Sequence, residues 1–251
     1  MKIAVQLYNV RGSLAKDRID DTLGQLAEMG FDGAEWFGLA GYEPDEIKSH
    51  MDKARLKLFS MHIDQSELDS PNVPLLDQLA RIGIKYIPIG WLPLERLAGG
   101  ARFDETCAKL IEYSRLANER GMYLMYHNHD FDLAPFRDAT LLDALYSALP
   151  PERLGAELDT CWLYTGGVDP TEYIQKYAER APVIHVKDCV REGGRAGFKP
   201  VGSGALDWQS ILSVCGSAEW LCFEQDEPSD GLTPFECAKA SIDFLRANRK
   251  I

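Results

Sequence analysis

The sequence predicts an α/β protein of the (β/α)8 class, a single TIM barrel occupying residues 1–251 as one domain. Three observations lead there. Short apolar runs recur eight times, segments of helical periodicity lie between them, and a glycine marks three of the helix-to-strand junctions. The first run is IAVQLY (3–8). RIDDTLGQLAEMG follows, with Ile19, Leu23, Leu26 and Ala27 on one face, as an amphipathic helix requires. GAEWF (33–37) and LFSMHI (58–63) are the second and third strands. LLDQLARIG sets Leu75, Leu76, Leu79 and Ile82 on one face ahead of YIPIG (86–90). MYLMYH (122–127), LGAELD (154–159), VIHVKD (183–188) and LCFEQD (221–226) complete the eight. The junctions LAEMGFDGAEW, LARIGIKYIPI and LANERGMYLMY place Gly30, Gly83 and Gly121 where a left-handed helix cap is expected. Strands start roughly 30 residues apart, the length of one strand-helix unit. No linker divides the chain, and eight such units fill a barrel of this size. The rival is a doubly wound open sheet. Its first strand usually leads into a glycine-rich phosphate loop, and LYNVRGSLAKD contains no GxGxxG.

Composition narrows the partners. The net charge of −12 disfavours nucleic-acid backbones and anionic membrane surfaces, which need a basic patch. No apolar stretch approaches the ~18 residues that span a bilayer. The N-terminal MKIAVQLYNVRG reads as a first strand and lacks the features of a secretory signal. The six cysteines form no CxxC pair and no tight framework, which suits a reducing cytoplasm. A homo-oligomer remains open.

In a barrel, chemistry gathers at the C-terminal ends of the strands. Those ends carry Gln6 with Tyr8, Glu35, His62, His127, Asp159, His185 with Lys187, and Glu224 with Asp226. Alternate residues share a face, so Glu157 accompanies Asp159, Lys187 accompanies His185, and Cys222 accompanies Glu224. Buried carboxylates need a cation, and a metal would account for several of these groups together.

The motifs YHNHDF, LGAELDTCW followed by GGVDP, VIHVKD, PVGSGALDW and CFEQD, with FDGAEWFG near the start, cover most of the chain. Through them the sequence resembles the sugar phosphate isomerase/epimerase superfamily, the xylose isomerase-like barrels. The resemblance implies one divalent metal ion held by a ligand from each of strands five to eight, commonly Glu, Asp, His and Glu. Carried over by position, the ligands are His127, Asp159, His185 and Glu224, with His127 standing where the family usually has Glu. Two carboxylates and two imidazoles suit Mn, Zn, Co or Fe better than Ca or Mg.

The implied activity is isomerisation or epimerisation of a small sugar, keto-sugar or polyol through a metal-stabilised enediolate. Glu224 is the expected base. His127 breaks the pairing of two glutamates on opposite faces of the substrate, because a metal-bound nitrogen is no base. That departure raises the alternative of a lyase or dehydratase acting on a keto-sugar or inosose, and leaves His129 or Glu157 as a second catalytic group. Gln6, Glu35, His62, Trp162, Lys187 and Lys199 are the expected substrate-binding residues. Trp162 stands where some relatives carry a histidine, and Lys199 lies in a glycine-rich stretch, GGRAGFKPVGSGALDW, placed to close over the mouth. Two other classes compete: a nuclease of the apurinic-endonuclease kind, opposed by the charge, and a non-catalytic carbohydrate-binding barrel, opposed by the complete ligand set.

Overall fold

The computed structural model describes residues 1–193, 195–229 and 231–248. Eight parallel strands close into a barrel: β1 (Lys2–Gln6), β2 (Gly33–Phe37), β3 (Lys57–His62), β4 (Tyr86–Ile89), β5 (Tyr123–His127), β6 (Gly155–Asp159), β7 (Val183–Val186) and β8 (Trp220–Phe223). They correspond to the eight apolar runs, and β1 pairs with β8 to complete the ring. Around them lie α1 (Ile19–Met29), α2 (Pro44–Ala54), α3 (Val73–Arg81), α4 (Phe103–Asn118), α5 (Leu141–Ala148), α6 (Thr160–Thr165), α7 (Pro170–Lys176), α8 (Trp208–Val214) and α9 (Pro234–Asn248). Gly30 closes α1 at φ 101°, a left-handed conformation that costs glycine nothing. Two short antiparallel hairpins stand outside the barrel, one of them Asp188–Glu192 with Arg195–Lys199. Arg195–Lys199 of the glycine-rich stretch after β7 therefore form a hairpin strand and not an open loop.

The strands divide their side chains by face. Ile3, Val5, Ala34, Trp36, Ile87, Leu124, Leu158, Ile184 and Leu221 point outward and are buried among the helices. Inside, a second apolar cluster of Ala4, Phe59, Tyr86, Met125, Val183, Trp220 and Cys222 plugs the lower barrel. Phe59 stacks on Trp220 with ring centroids 4.1 Å apart. This plug closes the lower end of the barrel against water, so polar groups above it meet solvent only through the mouth.

One irregularity turns His62 into the barrel. The β2–β3 register runs Ala34↔Leu58 and then Glu35↔Ser60, so β3 carries an extra residue at Phe59. Strict alternation would set Phe59 and His62 on opposite faces. The bulge lets Phe59 join the plug while His62 still turns into the barrel above it.

Gly33 lies against this plug, where an added Cβ would sit 2.5 Å from the Lys57 carbonyl oxygen and 3.0 Å from the Trp220 ring. Gly33→Ala should lower unfolding stability by ~1–3 kcal/mol through overpacking. Gly24→Ala, in α1 with open space around it, should raise stability by up to ~1 kcal/mol. Urea denaturation of the two variants checks both signs.

Candidate metal centre and active site

The upper barrel holds two polar layers, and inward-facing residues two apart on one strand lie at successive heights in it. β6 contributes Glu157 and then Asp159, β7 supplies His185 with Lys187 just past its end, and β8 supplies Cys222 with Glu224 just past its end. β5 ends on His127, and β2 and β1 bring Glu35 and Gln6. Parallel pairing sets Asp159 beside His185 and His127 beside Glu157.

In the upper layer His127, Asp159, His185 and Glu224 converge, with one potential ligand atom from each lying within 4.8 Å of the others. All four are buried. His185 Nδ1 is 3.2 Å from Glu224 Oε2. Asp159 serves two purposes. Its Oδ1 accepts the Trp162 amide at 2.8 Å and caps α6. Its Oδ2, buried, has no hydrogen-bond partner among the described residues, and the nearest cation is Lys187 Nζ at 3.7 Å. A buried carboxylate oxygen left open beside two imidazoles and a second carboxylate is what a divalent transition ion would satisfy. The donor set fits such an ion.

The lower layer centres on Glu35 and Glu157, which His127 and His185 contact, while His62 and Gln6 reach both this layer and the cavity. Glu157 Oε2 accepts from His127 Nδ1 at 3.1 Å and lies 3.3 Å from His185 Nε2. His62 Nε2 is 2.7 Å from the same oxygen, an ion pair angled off the hydrogen-bond line. Glu35 Oε1 is 2.7 Å from His185 Nε2 and accepts from Gln6 Nε2 at 2.8 Å.

These contacts set the charges. Burial alone would depress His62, but the Glu157 and Glu35 carboxylates outweigh it and hold its pKa up at about 10. Burial opposes ionisation of Glu157, yet His185 and His62 hold it well below the usual carboxylate range. Glu224 is likewise held low, by Lys187 and His185 against its own burial. Burial keeps His127 below the ordinary imidazole value and drives His129 to about 2, so both are neutral. Burial raises Asp159 to about 7 despite Lys187.

Above these layers opens a cavity of about 450 Å³. Gln6, His62, His127, His129, Lys187 and Glu224 line it. Glu35, Glu157, Asp159 and His185 lie beneath its floor. Trp162 is not in the lining; its ring sits 4.6 Å from Lys187 Nζ and backs that side chain. Lys199 is not in the lining either, because it pairs with Asp188 in the hairpin. Glu35, Trp162 and Lys199 stand outside this lining. Tyr8, Phe37, Gly90, Trp91 and Asp226 complete the wall. Tyr8, Phe37, Trp91 and Asp226 stand at or just past strand ends, which was the available signal for them.

Several supports were also hidden in the motifs. Asn128, between the two histidines, accepts the Asp159 amide at 3.0 Å. Asp132 accepts the His129 amide at 2.7 Å and the Tyr126 hydroxyl at 2.8 Å, which fixes the turn bearing His129. Asp188 accepts from the amides of Gly202 and Gly204, each at 2.9 Å, and from the Trp208 indole at 2.7 Å. It pins the segment after the hairpin to the end of β7.

A closed parallel barrel with a mixed imidazole and carboxylate cluster at its strand ends defines a class of barrels with a candidate metal site. The chain belongs to the xylose isomerase-like TIM barrel family, whose model matches residues 23–248. An inosose dehydratase from Geobacillus kaustophilus is 22% identical over 90% of this chain and 86% of its own. A sugar phosphate isomerase/epimerase from Parabacteroides distasonis has the same fold, with a TM-score of 0.81, 21% identity and 98% of each chain covered. So has a IolI protein with a bound zinc atom, with a TM-score of 0.74, 14% identity, and 100% of this chain and 99% of that one covered.

Lys187 is 2.8 Å from Asp226 and 3.2 Å from Glu224, and is itself buried. Lys187→Met strands these carboxylates without their cation. It should destabilise the metal-free protein by about 3 kcal/mol, read by thermal melting at neutral pH. Added divalent metal should restore part of the loss.

Proposed function

We propose that the chain is a divalent-metal-dependent enzyme that removes the proton next to the carbonyl of a small keto-sugar, sugar or polyol-derived ketone, and that the whole chain acts as one catalytic domain. The observation that carries this reading is the convergence of His127, Asp159, His185 and Glu224 with Asp159 Oδ2 left open. These four residues would hold the ion, and Mn, Zn, Co and Fe suit their donors. Bound there, a divalent ion supplies the Lewis acidity that acidifies a carbon beside a ketone.

The chain's own groups divide the remaining work. Glu224 is ionised, lines the cavity and is the base. Lys187, hydrogen-bonded to both Glu224 and Asp226, stands where it can steady an oxygen or hand a proton to a departing group. His127 gives one nitrogen to Glu157 and would give the other to the metal, so it is no base. Inversion at one carbon calls for a base on each face. Elimination calls for one base and one proton donor, which Glu224 and the Lys187–Asp226 pair supply. Loss of water or an alcohol from a keto-sugar or inosose is therefore the favoured outcome, and the inosose dehydratase relative supports it. Isomerisation or epimerisation of the same substrate class is the second reading, with His129 on the cavity wall as the remaining candidate for a second proton carrier.

No helix among the described residues is long and apolar enough to cross a membrane. The six cysteines are all unpaired thiols, and we place the protein in a reducing cytoplasm.

The test begins with metal analysis of the purified protein, where one divalent ion per chain is expected. Chelation should abolish turnover of an inosose and ketose panel, and one of Mn, Zn, Co or Fe should restore it. A chain that takes up no divalent ion, with turnover indifferent to chelation, overturns the reading. Glu224→Gln should slow solvent-deuterium exchange at the substrate α-carbon by at least ~100-fold. His127→Glu should retain the metal and shift products from elimination toward epimer. Loss of all metal from His127→Glu would instead count against the assignment of His127 to the family's strand-five glutamate position.

A further inference from the structure

We propose that Glu35 and Glu157 are positioning residues that decide which nitrogen of His185 and of His127 faces the mouth, so that the two histidines present opposite ring nitrogens to a metal. The inference rests on the metal reading above and deepens it.

An imidazole that binds a metal through one nitrogen keeps its hydrogen on the other, so the nitrogen that donates to a carboxylate leaves only the other for a cation. For His185, Nε2 points down to Glu35 Oε1 at 2.7 Å, and Nδ1 points up to Glu224 Oε2 at 3.2 Å. For His127 the order is reversed. Its Nδ1 is on Glu157 Oε2 at 3.1 Å, which leaves Nε2 for the mouth. The deep carboxylates are themselves fixed. Gln6 Nε2 donates to Glu35 Oε1 at 2.8 Å, and His62 Nε2 sits 2.7 Å from Glu157 and 3.2 Å from Glu35, linking the two. Both glutamates are fully buried, so no water competes for the imidazole hydrogens. On this view Glu157 is not a base facing the substrate, and His62 joins the two carboxylates in addition to lining the cavity.

The same side chains also pose a rival site. His62, His127, Glu157 and His185 offer atoms within 4.8 Å of one another, so an ion could in principle sit in the lower layer. The two sites share His127 and His185, and the lower one faces the nitrogens that already meet Glu157, His127 Nδ1 and His185 Nε2. Neutral imidazoles cannot serve both at once, and Asp159 Oδ2 favours the upper one.

The experiment uses zinc as the probe, because it is diamagnetic. Long-range proton–nitrogen correlation on the zinc-loaded, 15N-labelled protein reads each ring directly. The expected pattern is His127 metal-bound through Nε2 and protonated at Nδ1, with His185 metal-bound through Nδ1 and protonated at Nε2. Zinc affinity, measured by chelator competition, should weaken by ~10–100-fold in Glu35→Ala and in Glu157→Ala. Glu35→Gln and Glu157→Gln keep an oxygen that accepts the imidazole hydrogen and should stay closer to the parent. The parent spectrum needs no variant, so the inference is decided even if an alanine variant does not fold. Zinc bound with the reverse nitrogens would overturn this inference alone and place the ion in the lower layer. Alanine variants that fold and bind zinc as tightly as the parent would also overturn it. No zinc-induced shift at either histidine would overturn both the inference and the metal reading.

Discussion

Four carboxylates are held out of water inside this barrel, and the rest of the site follows from how they are satisfied. Glu35, Glu157 and Asp159 are fully buried and Glu224 nearly so. An ionised carboxylate in such a place persists only beside cations or donors. The chain answers with three imidazoles, one ammonium group and one amide: His62, His127, His185, Lys187 and Gln6. Donors and carboxylates alternate through the two layers, so each of these carboxylates has a cationic or hydrogen-donating neighbour. Asp159 Oδ2 is the place where the alternation is left incomplete, and it faces the other three converging ligand groups.

The scaffold makes this arrangement durable. The aromatic plug of Phe59, Tyr86 and Trp220 closes the barrel below the charges. The bulge in β3 allows one strand to serve both plug and site. Asp159 caps α6 with one oxygen and offers the other upward, so the helix start and the site geometry are coupled. Asp188 ties the segment after the hairpin to β7 next to Lys187. Each support is a hydrogen bond or a packed ring on a strand or a strand end, which holds a site more firmly than a long loop would.

Legibility differed between the layers. His127, Asp159, His185 and Glu224 could be proposed as a set because each stands at or just beyond the end of an apolar run within a specific motif. Glu157 could be placed on the same face as Asp159 by alternation alone. Its partners could not, since Glu157 meets His62 from across the barrel. Asp226, Tyr8, Phe37 and Trp91 were visible as residues at the strand ends of one mouth, but their neighbours in sequence did not show which of them reach its wall. Lys199 looked like a mouth residue because it follows β7. The antiparallel hairpin instead pairs it with Asp188 and leaves it out of the lining.

The sequence by itself determined the alternation of strands and helices, the eight strand positions and the residues that end them. These are local properties: apolar period, helix-stopping glycines and the two-residue repeat of a strand act over a few neighbours. Only the tertiary structure decided which imidazole meets which carboxylate. Glu35 and His185 are 150 residues apart and touch because the barrel closes with a particular stagger. His62 faces inward because of a bulge that no residue pattern announces. The two nitrogens of a histidine are identical in a sequence, and they become different only when a buried carboxylate takes the hydrogen of one.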